Sequence, residues 1–301
     1  MPKICYQSKN FSKGSTEIIE QANVIIENYA AQGFKLTLRQ LYYQFVSRDL
    51  IPNKTQEYKR LGSIVNDARL AGLIDWDAIE DRTRTLRSLG SWNDPGDIIN
   101  SAAYSFKLDL WKNQGYRIEV WIEKEALAGV FEPICNELRI PFFCCRGYTS
   151  QSEMWGASQR LLRWRQGHQI PVILHFGDHD PSGIDMTRDI IDRLKIFGCP
   201  LKLERLALNM DQINQYNPPP NPAKETDSRF SGYVEKFGDE SWELDALEPI
   251  LLAGLVRDAV SRFMDADAWD RALEMEQSGK ANLEKASQNW NQVEEYLDGL
   301  E

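Results

Sequence analysis

The sequence predicts an α/β protein: a winged helix-turn-helix domain, then a Rossmann-like domain with a parallel sheet, then a helical C-terminal tail. Three observations predict it. Between residues 15 and 71, apolar residues recur at helical spacing in three successive stretches. From residue 116 to 208, short apolar runs alternate with helical patterns, the order that builds a parallel sheet. One such run, residues 172–176, stops at Gly177 and is followed by Asp178 and Asp180, where open α/β sheets bind their ligands.

The 301 residues suffice for two domains with proper cores. No stretch has the apolar length of a membrane span, and Met-Pro-Lys-Ile-Cys at the start is no signal peptide. The five cysteines show no zinc spacing and read as reduced thiols, so the expected location is the cytoplasm, at the nucleoid. A net charge of −10 argues against coating nucleic acid by bulk electrostatics. The charge is uneven: up to residue 118, Lys and Arg outnumber Asp and Glu 16 to 13, and the remainder carries 19 against 32.

The first helix is predicted over 15–31, with Ile18, Ile19, Ala22, Val24, Ile25 and Ile26 as its apolar content and Gly33 beyond its end. A second begins near Thr37, and a third spans about 58–71 with Leu61, Ile64, Val65 and Ala68 in register. Residues 73–79 follow as a short strand or wing. That order is a winged helix-turn-helix, whose third helix enters the major groove. Asn66 and Arg69, with Lys59 and Arg60 at the helix start, are its candidate contacts to bases and phosphates. The alternative is a small helical domain with a solvated charged face.

Residues 82–115, with Arg82, Arg84, Arg87 and a Gly/Asn/Asp/Pro cluster at 90–96, read as a hinge and connector. The expected boundaries are 1–92 for the DNA-binding domain, 93–115 for a linker, 116–264 for the sheet domain and 265–301 for an acidic helical tail. In the sheet domain, Ile118, Val120 and Ile122 alternate with Glu119, Trp121 and Glu123 as a strand. Glu123 stands at its end, and Glu125 opens a helix. Further strands are expected at 141–145, 172–176 and 201–208, with helices at 151–165 and from Pro181, capped by Asp180. The Pro/Asn-rich run 214–222 reads as loop, and 241–264 as a helical region with an apolar stripe.

Asp178 and Asp180, two apart on extended chain, face one way and suit a hard cation such as Mg²⁺. The plainer reading is a helix cap beside a loop aspartate. Glu123 also follows a strand, and three carboxylates at one sheet edge repel one another without a cation. His179 between the aspartates either tunes the metal site or, more simply, faces solvent.

A Glu at one strand end with Asp-x-Asp at a later one resembles the Toprim domain of topoisomerases, primases and some nucleases. Ile122-Glu-Lys-Glu-Ala126 and Gly177-Asp-His-Asp-Pro-Ser-Gly183 are similar to strings in the A subunit of type IIB topoisomerases (topoisomerase VI) and the related meiotic double-strand-break transesterase. Thr37-Leu-Arg-Gln-Leu-Tyr-Tyr43 resembles that family's arginine-to-tyrosine motif, and the likeness covers roughly residues 35–260. It implies that Tyr43 attacks DNA to leave a 5′-phosphotyrosyl end and a free 3′-hydroxyl. Helical geometry agrees: Leu38, Leu41, Tyr42 and Phe45 share one face, while Tyr43 lies about 140° from Leu38 with Arg39 one turn before it. Tyr42 is therefore expected in the core. The likeness further implies that Arg39 stabilises the phenolate or holds the phosphate. Mg²⁺ or Mn²⁺ at Glu123, Asp178 and Asp180 neutralises phosphate and leaving oxygen; alternatively, Glu123 protonates that oxygen. Lys124, beside Glu123, joins the expected DNA contacts.

The implied partners are double-stranded DNA and a second copy of the chain, with Tyr43 of one subunit meeting the metal of the other. The chain is shorter than a usual A subunit and is more similar to small stand-alone relatives. No B-type ATPase module is read in it, so strand passage implies a separate ATPase partner. Two other readings stay open: a metal-dependent nuclease using water as nucleophile, and a non-catalytic DNA-binding module.

Overall fold

The computed structural model describes residues 3–80 and 89–300. The connector arginines Arg82, Arg84 and Arg87 lie outside the described residues. Two compact units share the chain: Met1–Arg84 with Ile118–Arg262, and Thr85–Arg117 with Phe263–Glu301. The first holds both the N-terminal helices and the sheet. The stretches read as linker and tail fall together in the second.

Three helices open the first unit: α1 (Lys13–Ala31), α2 (Leu38–Ser47) and α3 (Thr55–Leu70). Ser12 caps α1 by accepting from the Ser15 amide. Thr37 and Gln40 close a reciprocal capping box on α2, Oγ1 accepting the Gln40 amide at 3.2 Å and Gln40 Oε1 the Thr37 amide at 2.8 Å. Leu41, Phe45, Leu61, Val65, Ala68 and Ile74 join the inner face of α1 in one apolar core. The wing is not built as a strand. Residues 76–78 form a 3₁₀ turn, and only an isolated bridge links Ile79 to Leu36. Asp75 caps that turn by accepting the Asp77 amide, which draws the backbone out of extended form.

After α4 (Pro95–Ser105), treated below, come β1 (Tyr116–Ile122), a 3₁₀ turn at Glu125–Leu127, α5 (Ala128–Glu137), β2 (Phe142–Cys144), α6 (Gln151–Gln166), β3 (Ile170–Phe176), α7 (Pro181–Ile196) and β4 (Lys202–Ala207). The strands form a parallel sheet of order β2-β1-β3-β4. Trp121 and Ile173 pack on Met154 and Leu161 of α6 and Ile190 and Leu194 of α7. On the opposite side, Phe131 of α5 meets Phe176 edge-on at 4.7 Å. Both faces are thus covered, which explains the continuous apolar run in β3. The chain leaves β1 in one direction to form β2 and returns on its other side as β3, so the strand order reverses between β1 and β3. A crevice opens outside the carboxyl ends at such a point.

Residues 210–216, assigned in part to a loop, form the short α8 (Met210–Tyr216) behind an Asn209/Gln212 capping box. The proline run then carries β5 (Asn221–Pro222), which pairs antiparallel with β6 (Glu240–Ser241) beyond α9 (Phe230–Phe237). A 3₁₀ turn at Leu244–Ala246 precedes α10 (Pro249–Ser261), which packs on α5.

In the second unit, α4 packs against α11 (Ala266–Gln288), which continues after Asn289 into α12 (Trp290–Asp298). The connector thus contains a helix, with Asp94 as its cap and Pro95 in its first turn. Trp111 meets Trp269 edge-on at 5.8 Å, and the buried Gln114 side chain holds both the amide and the carbonyl of Asp265, at 2.6 and 2.9 Å. Buried Glu276 accepts the Leu108 amide at 2.7 Å and pairs with Lys280 at 3.1 Å. No helix among the described residues is long and apolar enough to cross a membrane.

Candidate active site at the carboxyl edge of the sheet

The β3–α7 turn sets the site. Asp180 caps α7, its Oδ1 accepting the Gly183 amide at 2.6 Å and the Ser182 hydroxyl at 3.0 Å. The helix start therefore folds back on the Asp178 backbone, and a Cβ on Gly183 would collide with the Asp178 carbonyl. One on Gly177 would stand 3.0 Å from Glu123 Oε2. Gly183→Ala is expected to cost about 1–3 kcal/mol of stability, read as a lower urea midpoint with unchanged slope, because backbone must move to admit the methyl. A midpoint equal to the wild type would refute this account of the turn.

Beneath the turn lies Arg205 of β4, which the sequence reading passed over as part of a strand. Its guanidinium donates to the carbonyls of Gly177 (3.0 Å), Asp178 (2.6 Å), Gly183 (3.0 Å) and Leu208 (3.2 Å) and to the Thr187 hydroxyl (2.9 Å). Burial lowers its pKa to about 10 against the opposing pull of Glu123, Asp178 and Asp180, so it stays charged at neutral pH. His175, at the end of β3, meets the same Thr187 hydroxyl at 2.9 Å and is pushed down to about 3 by burial and Arg205.

Glu123 follows β1 directly, its amide bonded to the Phe176 carbonyl at 2.9 Å and its Oε2 accepting the Asp178 amide at 2.8 Å. Burial, then the Asp178 charge, push the Glu123 carboxyl up to about 8. Burial likewise raises Asp178 to about 6 despite Lys124. The Asp178 oxygens are directed to the Leu244 amide (2.8 Å) and the Lys124 ammonium (2.9 Å). Among the described residues, no group of three or more His, Cys, Asp or Glu is disposed to hold a metal ion. Asp180 serves the helix cap, and Asp178 stays close enough for its charge to raise Glu123. Their hard oxygens and mutual repulsion fit a cation that takes one or two carboxylates and completes its shell with water and phosphate, as Mg²⁺ does.

Lys124, expected at the DNA, sits instead inside an acidic cage. Its ammonium contacts Asp178, Glu243 and Asp245, the last at 3.5 Å. Burial works against its charge, but the three carboxylates outweigh it and hold the pKa well above the ordinary value. Glu243 precedes the 3₁₀ turn before α10 and Asp245 lies within it, in a stretch read from the sequence only for its apolar stripe. Asp245 is wholly buried without a hydrogen-bond partner and lies 3.9 Å from Arg39.

Arg39 and Tyr43 reach this cage from α2. Arg39 Nη2 lies 3.4 Å from the Tyr43 hydroxyl, and the Lys124 ammonium lies 5.8 Å from the Tyr43 ring. Burial and the Glu243 charge raise the phenol above its ordinary value, against Lys124 and Arg39. Tyr42 is in the core as expected, its hydroxyl bonded to Asn53 and the Lys54 carbonyl at 3.1 Å each. Tyr43 thus meets Lys124 within one chain, whereas the resemblance implied a meeting across a dimer.

A cleft of about 910 Å³ runs between α2–α3 and the sheet edge, with Arg39, Asn66, Arg69, Glu123, Lys124 and Arg146 on its walls. Arg69 is anchored there by the Trp76 carbonyl, by the Ile79 carbonyl at 2.8 Å and by the Trp76 ring at 4.9 Å. Lys59 and Arg60 are exposed near the start of α3, Arg60 pairing with Glu57 at 3.1 Å. His179 neither tunes the carboxylates nor faces solvent. It is buried among Tyr233, Phe237 and Trp242, with Nδ1 2.7 Å from the Tyr233 hydroxyl and its backbone paired to Trp242. Burial, then Arg205, hold it down at about 4, so it is neutral.

The raised carboxyls give a pH signature. A carboxyl raised in the folded state contributes stability that is present below its unfolded value and lost as pH rises through the folded one. The two depressed histidines oppose this only up to about pH 7.5, where the unfolded imidazoles also become neutral, and the larger Glu123 shift dominates up to its value near 8. The melting temperature is expected to fall by ~3–6 °C from pH 6.5 to 8.5, and not to fall in Glu123→Gln. Millimolar Mg²⁺ should recover it most at pH 8.5, where the carboxylates are ionised, and not in Asp178→Asn/Asp180→Asn. A rise with pH in the wild type would contradict the assignment. No family model and no curated protein matches this sequence.

Proposed function

We propose that this chain cleaves double-stranded DNA by transesterification, with Tyr43 as the nucleophile, in the manner of the A subunit of type IIB topoisomerases. In this reading 1–92 is a helix-turn-helix domain presenting α3 to DNA, and 116–264 is a Toprim domain. The observation that carries it is the meeting of Arg39 and Tyr43 from α2 with Lys124, which pairs with Asp178 at the sheet's carboxyl edge and lines one cleft with Arg39 and Glu123. These residues come from three distant stretches of sequence and have the types that phosphoryl transfer needs.

The Tyr43 oxygen attacks the phosphorus, and the 3′-oxygen leaves. Arg39, already beside the phenol oxygen, stabilises charge there as the proton departs. Lys124 keeps positive charge beside the reacting phosphate while screening Asp178, Glu243 and Asp245 from one another. Glu123, with its raised pKa, retains a proton that it can deliver to the leaving oxygen. Glu123 and Asp178 would hold Mg²⁺ or Mn²⁺, which would supply further positive charge for phosphate and leaving oxygen. A cut in each strand takes two copies, so a homodimer on DNA belongs to the proposal.

One observation favours water as the nucleophile instead: in the free protein the Tyr43 phenol is half-buried and held protonated. The test is a denaturing gel of 3′-labelled duplex after incubation with protein and Mg²⁺. Protease-sensitive retardation of the cut fragment is expected. Freely migrating fragments with 5′-phosphates would make the protein a nuclease.

A further inference from the structure

We propose that Glu243 is the group that takes the phenol proton from Tyr43, an inference that rests on the tyrosine being the nucleophile. The 3₁₀ turn at Leu244–Ala246 packs against α2, which brings Glu243, just before it, beside Tyr43. The phenol and the Glu243 carboxylate line one small cavity with Asn53, Pro219, Pro220 and Asn221, and the Glu243 charge acts on the phenol. Among the carboxylates of the cage, Glu243 is the one that shares a cavity wall with the phenol. Asp178 is engaged by the Leu244 amide and Lys124, Glu123 by the Asp178 amide, and Asp245 faces Lys124 and Arg39.

The charge arrangement supports the same role. Burial alone would favour a neutral Glu243, but the touching Lys124 ammonium outweighs it and keeps the carboxylate ionised, ready to accept. A carboxylate is a far weaker base than a phenolate, so the proton moves as the new bond to phosphorus forms, not before. The Tyr43 O–H bond breaks and its proton goes to Glu243. The oxygen's electron pair makes the O–P bond. The P–O3′ bond breaks, and its pair leaves on the 3′-oxygen, which takes the proton that Glu123 delivers. On resealing, the 3′-hydroxyl attacks phosphorus and Glu243 returns its proton to the departing phenolate.

The test is single-turnover formation of the covalent complex on a nicked duplex that cannot be resealed. Glu243→Gln preserves size and hydrogen bonding but cannot accept the proton. Its adduct rate is expected to fall by ~10²–10³-fold with DNA binding unchanged. Placing 3,5-difluorotyrosine at position 43 makes the phenol acidic enough to ionise unaided. It should recover at least ~10-fold in the Glu243→Gln background while changing the wild type only a few-fold. A side chain with a purely structural role would not respond to phenol acidity. If Glu243→Gln does not fold, Glu243→Asp keeps a charge opposite Lys124 and should show a smaller loss with the same recovery. Adducts at wild-type rate in either folded variant, or a loss that the acidic phenol leaves untouched, would overturn Glu243 as the acceptor while leaving Tyr43 as nucleophile. Cuts without any adduct in the wild type would overturn both.

Discussion

Tyr43→Phe is expected to fold and bind DNA like the wild type and to form no covalent complex, with cleavage reduced at least ~10³-fold. The substitution removes the nucleophilic oxygen and its bond to Arg39 but keeps the ring, which packs edge-on against Tyr42 at 5.4 Å. Stability should change by no more than about 1 kcal/mol, since one partly exposed hydrogen-bonding group is lost. Glu123→Ala is the control, inactive whether a phenol or water attacks. A Tyr43→Phe protein that cuts at the wild-type rate and leaves free 5′-phosphates would remove the tyrosine from the chemistry.

The largest stability effect is expected at Lys124. Lys124→Met keeps most of the aliphatic length and deletes the ammonium, so Asp178, Glu243 and Asp245 lose the cation they share. Stranding buried carboxylates in this way costs about 3–5 kcal/mol, a fall of ~6–20 °C in melting temperature. Part of that loss should return on acidification, because the unscreened carboxyls then titrate at higher pH and stabilise the fold once protonated. Lys59→Met, on the exposed surface of α3, serves as comparison and should stay within about 0.5 kcal/mol. Equal, small changes in the two variants would mean that Lys124 is not what holds the acidic cage together.

The parts of the fold legible in the sequence were those with a local signature. The helix start near Thr37, capping at Asp180, the apolar run of β3 and the placement of Tyr42 in the core all follow from neighbours within one turn or strand. The same cap-and-proline signal stands at Asp94-Pro95, yet α4 went unread because the glycine and asparagine around it suggested a hinge. Residues 73–79 have strand composition, but a pairing partner cannot be read from composition, and the segment bridges only once. Glu243, Asp245 and Arg205 were missed for a related reason. Their significance lies in what they touch elsewhere in the chain: Glu243 and Asp245 meet Lys124 more than 100 positions away, and Arg205 reaches back 27 positions to the Asp178 carbonyl. The one available hint was chemical: charged side chains beside otherwise apolar runs need partners. His179 was misread because its aromatic surroundings, Tyr233, Phe237 and Trp242, lie more than 50 positions on.

The Gln114–Asp265 clamp, whose halves are 151 positions apart, bears on how the polypeptide acquires its shape during synthesis. When Leu110, Trp111 and Gln114 leave the ribosome, the helix they pack with does not yet exist. At about 5–20 residues per second, they wait roughly 10–30 s for it. Through that interval two large apolar side chains and a polar one destined for burial stay in water, while the intervening segment already has all four strands of its sheet. The second unit is thus the last to close, and the exposed 110–114 segment is where a chaperone that binds nascent chains would find its hold.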